Sequence, residues 1–135
     1  MKKWILVFLV VIFDQLTKFY SNNINLDLGL LSIKQIKNTG AAFGILKDYR
    51  FLLIFISIIV MFIAFYYLIN VKNKYALSGL SFILGGTIGN LIDRIFFGYV
   101  IDFIDFGFWP AFNLADTFIT IGGVIIAYLL ITDKI

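Results

Sequence analysis

Residues 96–120 read FFGYVIDFIDFGFWPAFNLADTFIT, with Asp102, Asp105 and Asp116 set among phenylalanines, valine and isoleucines. A carboxylate is costly to place in an apolar medium, so three of them in such a run need a reason. Asp102 and Asp116 are fourteen residues apart, and Gly107 and Pro110 stand between them. On one unbroken helix that separation would hold them roughly 21 Å apart along the axis. The glycine and proline predict a break instead. A loop of this length is able to fold back and bring the two carboxylates within contact distance. Two neighbouring carboxylates do not both ionise easily. One keeps a proton, the other stays charged, and the pair is equipped to polarise a water and protonate a leaving amine. Spacing permits this arrangement without demonstrating it.

The rest of the chain says what medium surrounds these acids. Of 135 residues, 61% are hydrophobic and 14% charged, and the mean hydropathy is +1.00. A soluble domain this short has too little interior to hide so much apolar surface, which points to lipid as the solvent. The sequence reads as a single domain, 1–135. It holds no cysteine and no histidine, and every acid is aspartate. Disulfides, catalytic thiols, histidine bases and the common zinc sites are excluded, so acid–base chemistry would rest on aspartate, lysine or tyrosine. The net charge of +3 comes from scattered lysines, which fits basic flanks of membrane spans better than a nucleic-acid surface.

Four apolar runs, 4–20, 51–69, 76–92 and 112–131, each approach the roughly 20 residues a helix needs to cross the hydrocarbon core. Lys2 and Lys3 before the first run resemble a secretory leader, but no small-residue cleavage pattern follows, so a retained span is expected. Lys2, Lys3, Lys72, Lys74 and Lys134 fall on one side; Lys34, Lys37, Lys47, Arg50 and Arg94 fall on the other. The first set hugs the spans in very short segments, where the positive-inside bias acts most strongly. Both termini are therefore expected in the cytoplasm, with loops 21–50 and 93–111 outside. Residues 24–38, INLDLGLLSIKQIKN, partly alternate apolar and polar, and a turn signal at Asn38-Thr39-Gly40 follows. This predicts a small extracytoplasmic sheet. The expected fold is an all-α membrane protein of four transmembrane helices carrying that sheet.

Polar residues collect at one end of the spans. Asp14, Gln15, Thr17 and Lys18 end the first, Asn90, Asp93 and Arg94 end the third, and Asn113 and Asp116 begin the fourth. Under the expected orientation all lie toward the outer face, which suggests one polar site there. Plainer readings stand beside this one. Asp14 and Lys18 are an i,i+4 pair able to neutralise each other. Asp93 and Arg94 fit ordinary interfacial charges, and Asp105 fits a solvated loop residue. Asn113 and Asp116 have the spacing of a capping box. Gly85 to Gly89 is a small-xxx-small spacing that suits close helix packing. Phe108, Trp109 and Phe112 suit an interfacial aromatic belt. A proton-coupled transporter would also carry intramembrane aspartates, but nearer the midplane and often in paired repeats. A structural subunit would have little reason for so many polar residues on one side.

Five motifs occur in order: DQLTK (14–18), NTGAAFG (38–44), GNLIDR (89–94), GYVIDF (98–103) and FNLAD (112–116). Together they resemble the lipoprotein signal peptidase (signal peptidase II) family of bacterial membrane aspartic proteases. The resemblance implies a metal-independent endopeptidase with no cofactor. It would remove signal peptides from diacylglyceryl-modified prolipoproteins, cutting before the lipidated cysteine. It places the catalytic pair on Asp102 and Asp116. It also singles out Asp14, Lys18, Asn38, Asn90, Asp93, Arg94 and Asn113 as residues that support the site or contact substrate. The partners it implies are the prolipoprotein, membrane lipid and a cyclic-peptide inhibitor, with no nucleic acid and with a monomer expected. The implied location is the bacterial cytoplasmic membrane, with the active site toward the outer face.

Overall fold

The computed structural model describes residues 2–41 and 45–134, the Lys2 side chain excepted. Ala42, Phe43 and Gly44 of the second motif lie outside the described residues. Four helices are long and apolar enough to cross a membrane: α1 (Lys2–Ser21), α2 (Arg50–Asn70), α3 (Lys74–Phe96) and α4 (Leu114–Ile131). Between them run β1 (Leu26–Asp27), β2 (Ser32–Asn38) and β3 (Val100–Asp105). The four expected spans and the small sheet are therefore present, with shifted ends. The third helix runs on to Phe96, so Asp93 and Arg94 belong to its last turns. The fourth begins at Leu114, because Phe112 bridges to Ile104 and Asn113 serves as the N-cap.

The helix pattern explains who faces whom. In α1 the buried residues are Val7, Val10, Asp14, Lys18 and Ser21, a stripe at steps of three and four. Its other faces are apolar and exposed, as lipid contact requires. The central helix is α3, with 61% of its span buried against 17% for α2 and for α4. Small residues make that centrality possible. A Cβ on Gly85 would come within 2.7 Å of Val10, and one on Gly89 would collide with the Asp14 carboxylate. On another face, a Cβ on Gly86 would lie 2.5 Å from the Ala115 carbonyl, and one on Gly122 would lie 2.5 Å from that of Gly79. The Gly85–Gly89 spacing thus seats α1, while Gly79, Gly86 and Gly122 let α3 and α4 meet backbone to backbone.

Helix ends in lipid need partners for their free backbone groups. Lys3 donates to the carbonyls of Leu68 (3.1 Å) and Ile69 (3.0 Å), closing the end of α2. Arg50 donates from Nε to Arg94 O and from Nη2 to Ile95 O, both 2.8 Å, closing the end of α3. Asn73 caps the start of α3 by accepting from the Tyr75 and Ala76 amides.

The sheet is antiparallel in the order β1-β2-β3, so a strand from the α1–α2 connection pairs with one from the α3–α4 connection. Asp102 stands opposite Ile36, and Asn38 opposite Val100. After β3 the chain reverses at Gly107, whose φ of +73° suits a residue without a Cβ. It then returns so that Ile104 and Phe112 exchange backbone hydrogen bonds of 3.0 Å each. The corner expected between Asp102 and Asp116 is this reversal. Asp105 is a strand terminus rather than a loop residue. It is half-buried, accepts from the Gly107 amide, and its Oδ2 lies 3.4 Å from Lys34 Nζ.

Gly89→Ala should displace Asp14 and cost about 1–3 kcal/mol, the usual penalty for overpacking. A Cβ on Gly123 meets nothing within 4 Å, so Gly123→Ala should leave stability unchanged or raised. Thermal unfolding of the two variants in detergent checks the contrast, and equal destabilisation would contradict this packing.

Candidate active site

The polar residues meet where α1 and α3 end, α4 begins and the sheet lies. Among the described residues Lys18, 2% exposed, is the deepest cation. Its Nζ lies 2.8 Å from Asp14 Oδ2 and 2.9 Å from Asp93 Oδ2, and it donates to Asn90 Oδ1 at 3.0 Å. Asp14 and Asp93 are both fully buried. One lysine facing two carboxylates leaves excess negative charge, and neutral donors address it. Gln15 Nε2 reaches both Asp14 Oδ2 and Asp93 Oδ1 at 3.1 Å. The Ala115 amide donates to Asp14 Oδ1 at 2.9 Å, and the Ile101 amide to Asp93 Oδ2 at 3.0 Å. The last two bonds tie α1 to the start of α4, and α3 to β3.

Above this cluster lies a chain of amides. Asn113 Nδ2 donates to Asp102 Oδ1 (2.8 Å) and to Asn90 Oδ1 (3.0 Å). Asn90 Nδ2 donates to Asp116 Oδ1 at 2.8 Å. Asn38 Nδ2 donates to Asp102 Oδ2 at 2.8 Å, while its Oδ1 accepts from the Gly40 amide. Asp116 Oδ2 accepts from the Asn113 amide at 3.2 Å, and Asn113 Oδ1 accepts from the Asp116 amide, which completes a capping box. The capping and the site are thus one arrangement. Asp102 is 1% exposed, and burial, followed by the negative charge of Asp116, raises its pKa to about 7.

Asp116 is half-buried and lines a cavity of about 470 Å³, whose other walls include Asn90, Arg94, Ile119 and Ile121. A second cavity, of about 260 Å³, is lined by Asp102. The two share Asn38, Ala41, Pro110 and Ala111. Two acids from different elements thus stand at the junction of two clefts.

A family model described as Signal peptidase (SPase) II matches residues 6–132. The chain belongs to the signal peptidase II family. It is 42% identical to a lipoprotein signal peptidase of Caldicellulosiruptor bescii, over 96% of this chain and 91% of that one. It is 38% identical to one of Halothermothrix orenii, over 98% and 97%. Two solved structures described as bacterial membrane enzymes also match. One, at 2.3 Å resolution, has a TM-score of 0.89 at 32% identity, covering 98% of this chain and 89% of that one. The other, at 1.9 Å, has a TM-score of 0.84 at 33% identity, covering 98% and 94%. The protein is a multi-pass membrane protease with lipoprotein signal peptidase function. The transporter and structural-subunit readings fall with that membership.

The structure brings all nine residues singled out in this peptidase's sequence to one end of the bundle. Arg94 is half-buried. It lines the larger cavity and donates to Gly40 O at 3.3 Å. Among the described residues Asp93 pairs with Lys18 rather than with its neighbour Arg94. Two contributors escaped the sequence reading. Gln15 was visible only as a polar neighbour of Asp14, and Arg50 only as a loop cation. The signal for Arg50 was its place as the first residue of a span, where a long donor is able to reach a neighbouring helix end.

Lys18→Met leaves two carboxylates buried without their cation. It should cost about 3–5 kcal/mol, and adding Asp14→Asn and Asp93→Asn should recover part of that loss. Unfolding temperatures of the single and triple variants test this, and a Lys18→Met protein as stable as the native one would contradict the cluster.

Proposed function

We propose that Asp102 and Asp116 are the catalytic pair of an aspartic endopeptidase. It hydrolyses diacylglyceryl-modified prolipoproteins at the bond before the lipidated cysteine and needs no metal. The observation that carries this reading is the amide chain Asp102–Asn113–Asn90–Asp116, which links the two carboxyl groups in one connected site. Each carboxyl oxygen already accepts an N–H donor. The carboxylates are thereby engaged by amides, which favours acid–base work over ligation of a shared cation.

The environments of the two acids suggest their roles. Asp102, with its pKa raised to about 7, keeps a proton in a large share of molecules at neutral pH. Asp116 is more open and sits in the first turn of α4, where helix amides favour negative charge. In this mechanism Asp116 takes a proton from a water in the cleft as the water oxygen attacks the scissile carbonyl. Asp102 gives its proton to the carbonyl oxygen. Asp116 then passes its proton to the leaving nitrogen as the carbon–nitrogen bond breaks, and Asp102 recovers its own as the carbonyl re-forms. Asn38, Asn90 and Asn113 position the acids, while Lys18, Asp14 and Asp93 anchor the asparagines and the elements that carry them. Arg94, on the cavity wall, contacts substrate.

The apolar cleft beside Asp116 suits the membrane-lodged part of the substrate. A lipidated cysteine keeps its acyl chains in the bilayer, so the scissile bond stays near a membrane surface, where this end of the bundle would meet it. The short 71–73 connection, with Lys72 inside it and Lys74 directly after it, supports a cytoplasmic location for the other end and for both termini. Both acids come from one chain, so a monomer suffices, and the whole chain acts as one peptidase domain.

Cleavage of a diacylglyceryl prolipoprotein by the purified protein should persist in chelator. Asp102→Asn and Asp116→Asn should each lower its rate by at least about 10²–10⁴-fold in a folded protein. Cleavage retained in either variant, or lost on metal removal, would overturn the reading.

The pH dependence follows from the raised pKa of Asp102. The proton required on Asp102 is present below about 7 and lost above it, so kcat/KM should fall as pH rises through that value. The fold loses stability in the same direction. The native carboxyl binds its proton more tightly than the unfolded one, so stability declines as pH rises from about 4 to about 7. A rate that stays level from pH 6 to 9 would contradict this role for Asp102.

A further inference from the structure

Among the described residues lining the larger cavity, Arg94 is the only cation and Asp116 the only acid. The charges of Asp116, Asp102 and Asp93 all act on the Arg94 guanidinium. An arginine side chain has many rotamers, so it presents its charge reproducibly only where its root and its tip are both held. The tip is held by Gly40, whose carbonyl accepts from Arg94 Nη2 at 3.3 Å. The root is the last turn of α3, where the helix runs out of amides for its carbonyls. The Phe97 amide still reaches Asp93 O at 2.8 Å. The next two carbonyls, of Arg94 and Ile95, are filled by Arg50 from Nε and Nη2. The planar fork of a guanidinium suits two such neighbouring acceptors. The turn beyond the helix leaves it room: Gly98 has a φ of +85°, and a Cβ there would lie 3.4 Å from Arg50 Nη1.

Arg50 is held in its turn from the side of Gly40. It is the first residue of α2 and follows a turn that bonds back to residues 39–41. The Ala41 amide donates to Ile45 O at 2.8 Å, and the Asp48 amide to Thr39 O at 3.3 Å. A Cβ on Gly40 would lie 2.9 Å from Ile45 O, so this turn rests against the Gly40 backbone. Within it Leu46 and Asp48 adopt left-handed φ of 57° and 67°, which residues with a side chain hold where their surroundings impose it. The contacts close a circuit. Arg94 reaches Gly40, Gly40 seats the 45–48 turn, the turn leads into Arg50, and Arg50 returns to the Arg94 carbonyl.

We propose that Arg50, through this circuit, is a positioning residue for the peptidase: it sets the last turn of α3 so that Arg94 meets substrate in the cleft beside Asp116. This rests on the proposed contact between Arg94 and substrate. Arg50 itself lines neither cavity and acts through Arg94. Lys3 offers a matched comparison. It fills the Leu68 and Ile69 carbonyls at the far end of α2 in the same manner, at the opposite end of the bundle from the acids.

The test measures kcat/KM of the purified full chain on a diacylglyceryl prolipoprotein in detergent, with the unfolding temperature of every variant. Arg50→Gln should fold and lower kcat/KM by about 10- to 100-fold, the scale of a misplaced substrate contact. Arg50→Lys, able to reach both carbonyls as Lys3 does, should restore activity to within about threefold of native. In an Arg94→Gln background, where the contact is already gone, Arg50→Gln should cost less than about twofold, because residues that act through one another are not additive. Lys3→Gln should lower the unfolding temperature yet leave kcat/KM within about twofold of native. The proposal is overturned by an Arg50→Gln protein as active as native, or by a loss of the same factor with and without Arg94. A loss matched by Lys3→Gln, a loss that Arg50→Lys does not repair, or an Arg50→Gln protein that does not fold makes Arg50 a structural clasp alone and overturns it too. If Arg94→Gln is itself fully active, the substrate contact of Arg94 fails and the proposal with it, while the aspartate pair stands. Failure of the native protein to cleave overturns the peptidase reading as a whole.

Discussion

Lys18 is almost wholly buried, and the arrangement of this end of the bundle follows from what its ammonium group requires. An ammonium group out of water needs carboxylates and acceptors at hydrogen-bond distance, or the fold fails. Asp14, Asp93 and Asn90 meet the need, and they come from two different helices. Asp14 and Asp93 require donors in turn, and these are the Ala115 amide of α4 and the Ile101 amide of β3. One buried cation therefore fixes the relative positions of α1, α3, α4 and β3, an edge strand of the sheet. The proposed dyad rides on the last two elements.

The constraint works because it runs through backbone as well as side chains. In a hydrocarbon environment a helix end without partners is expensive. The first turn of α4 has its amides taken by Asn113, which caps Asp116, and by Asp14 from across the bundle. Arg50 and Lys3 complete the ends of α3 and α2. A proposed catalytic acid and a group that closes a helix are thus the same side chain at the start of α4. Asp116 illustrates this, since one of its oxygens completes a capping box while the other receives the Asn90 amide. A polar site at a membrane surface stays rigid when every donor and acceptor in it also holds an element in place.

Much of this was legible in the chain. The four spans followed from their apolar runs, and the reversal between Asp102 and Asp116 followed from Gly107 and Pro110. The Asn113–Asp116 spacing announced a capping box, although as a rival to a functional role rather than part of one. Half of the buried cluster was visible as the i,i+4 pair Asp14–Lys18. Its other half, Asp93, lies 75 residues further along, and no local pattern encodes a contact of that range. The Gly85–Gly89 spacing signalled close packing but not the partner, which is set by where α1 places Val10 and Asp14. A loop position for Asp105 fails because residues 100–105 form a strand. The alternation of 100–105 puts Asp102 on the inward face with Val100, three residues and therefore one face away from Asp105.

The proposed chemistry depends most on Asp102 and Asp116 being electrostatic neighbours within one site. An infrared titration of the protonated-carboxyl band, with and without the Asp116→Asn substitution, tests that most directly. The account predicts that Asp102 in the native protein loses its proton near pH 7, and that removing the Asp116 charge moves this midpoint downward while burial keeps it above that of an ordinary aspartate. A midpoint indifferent to Asp116 would place the two carboxyl groups in separate environments and contradict the account.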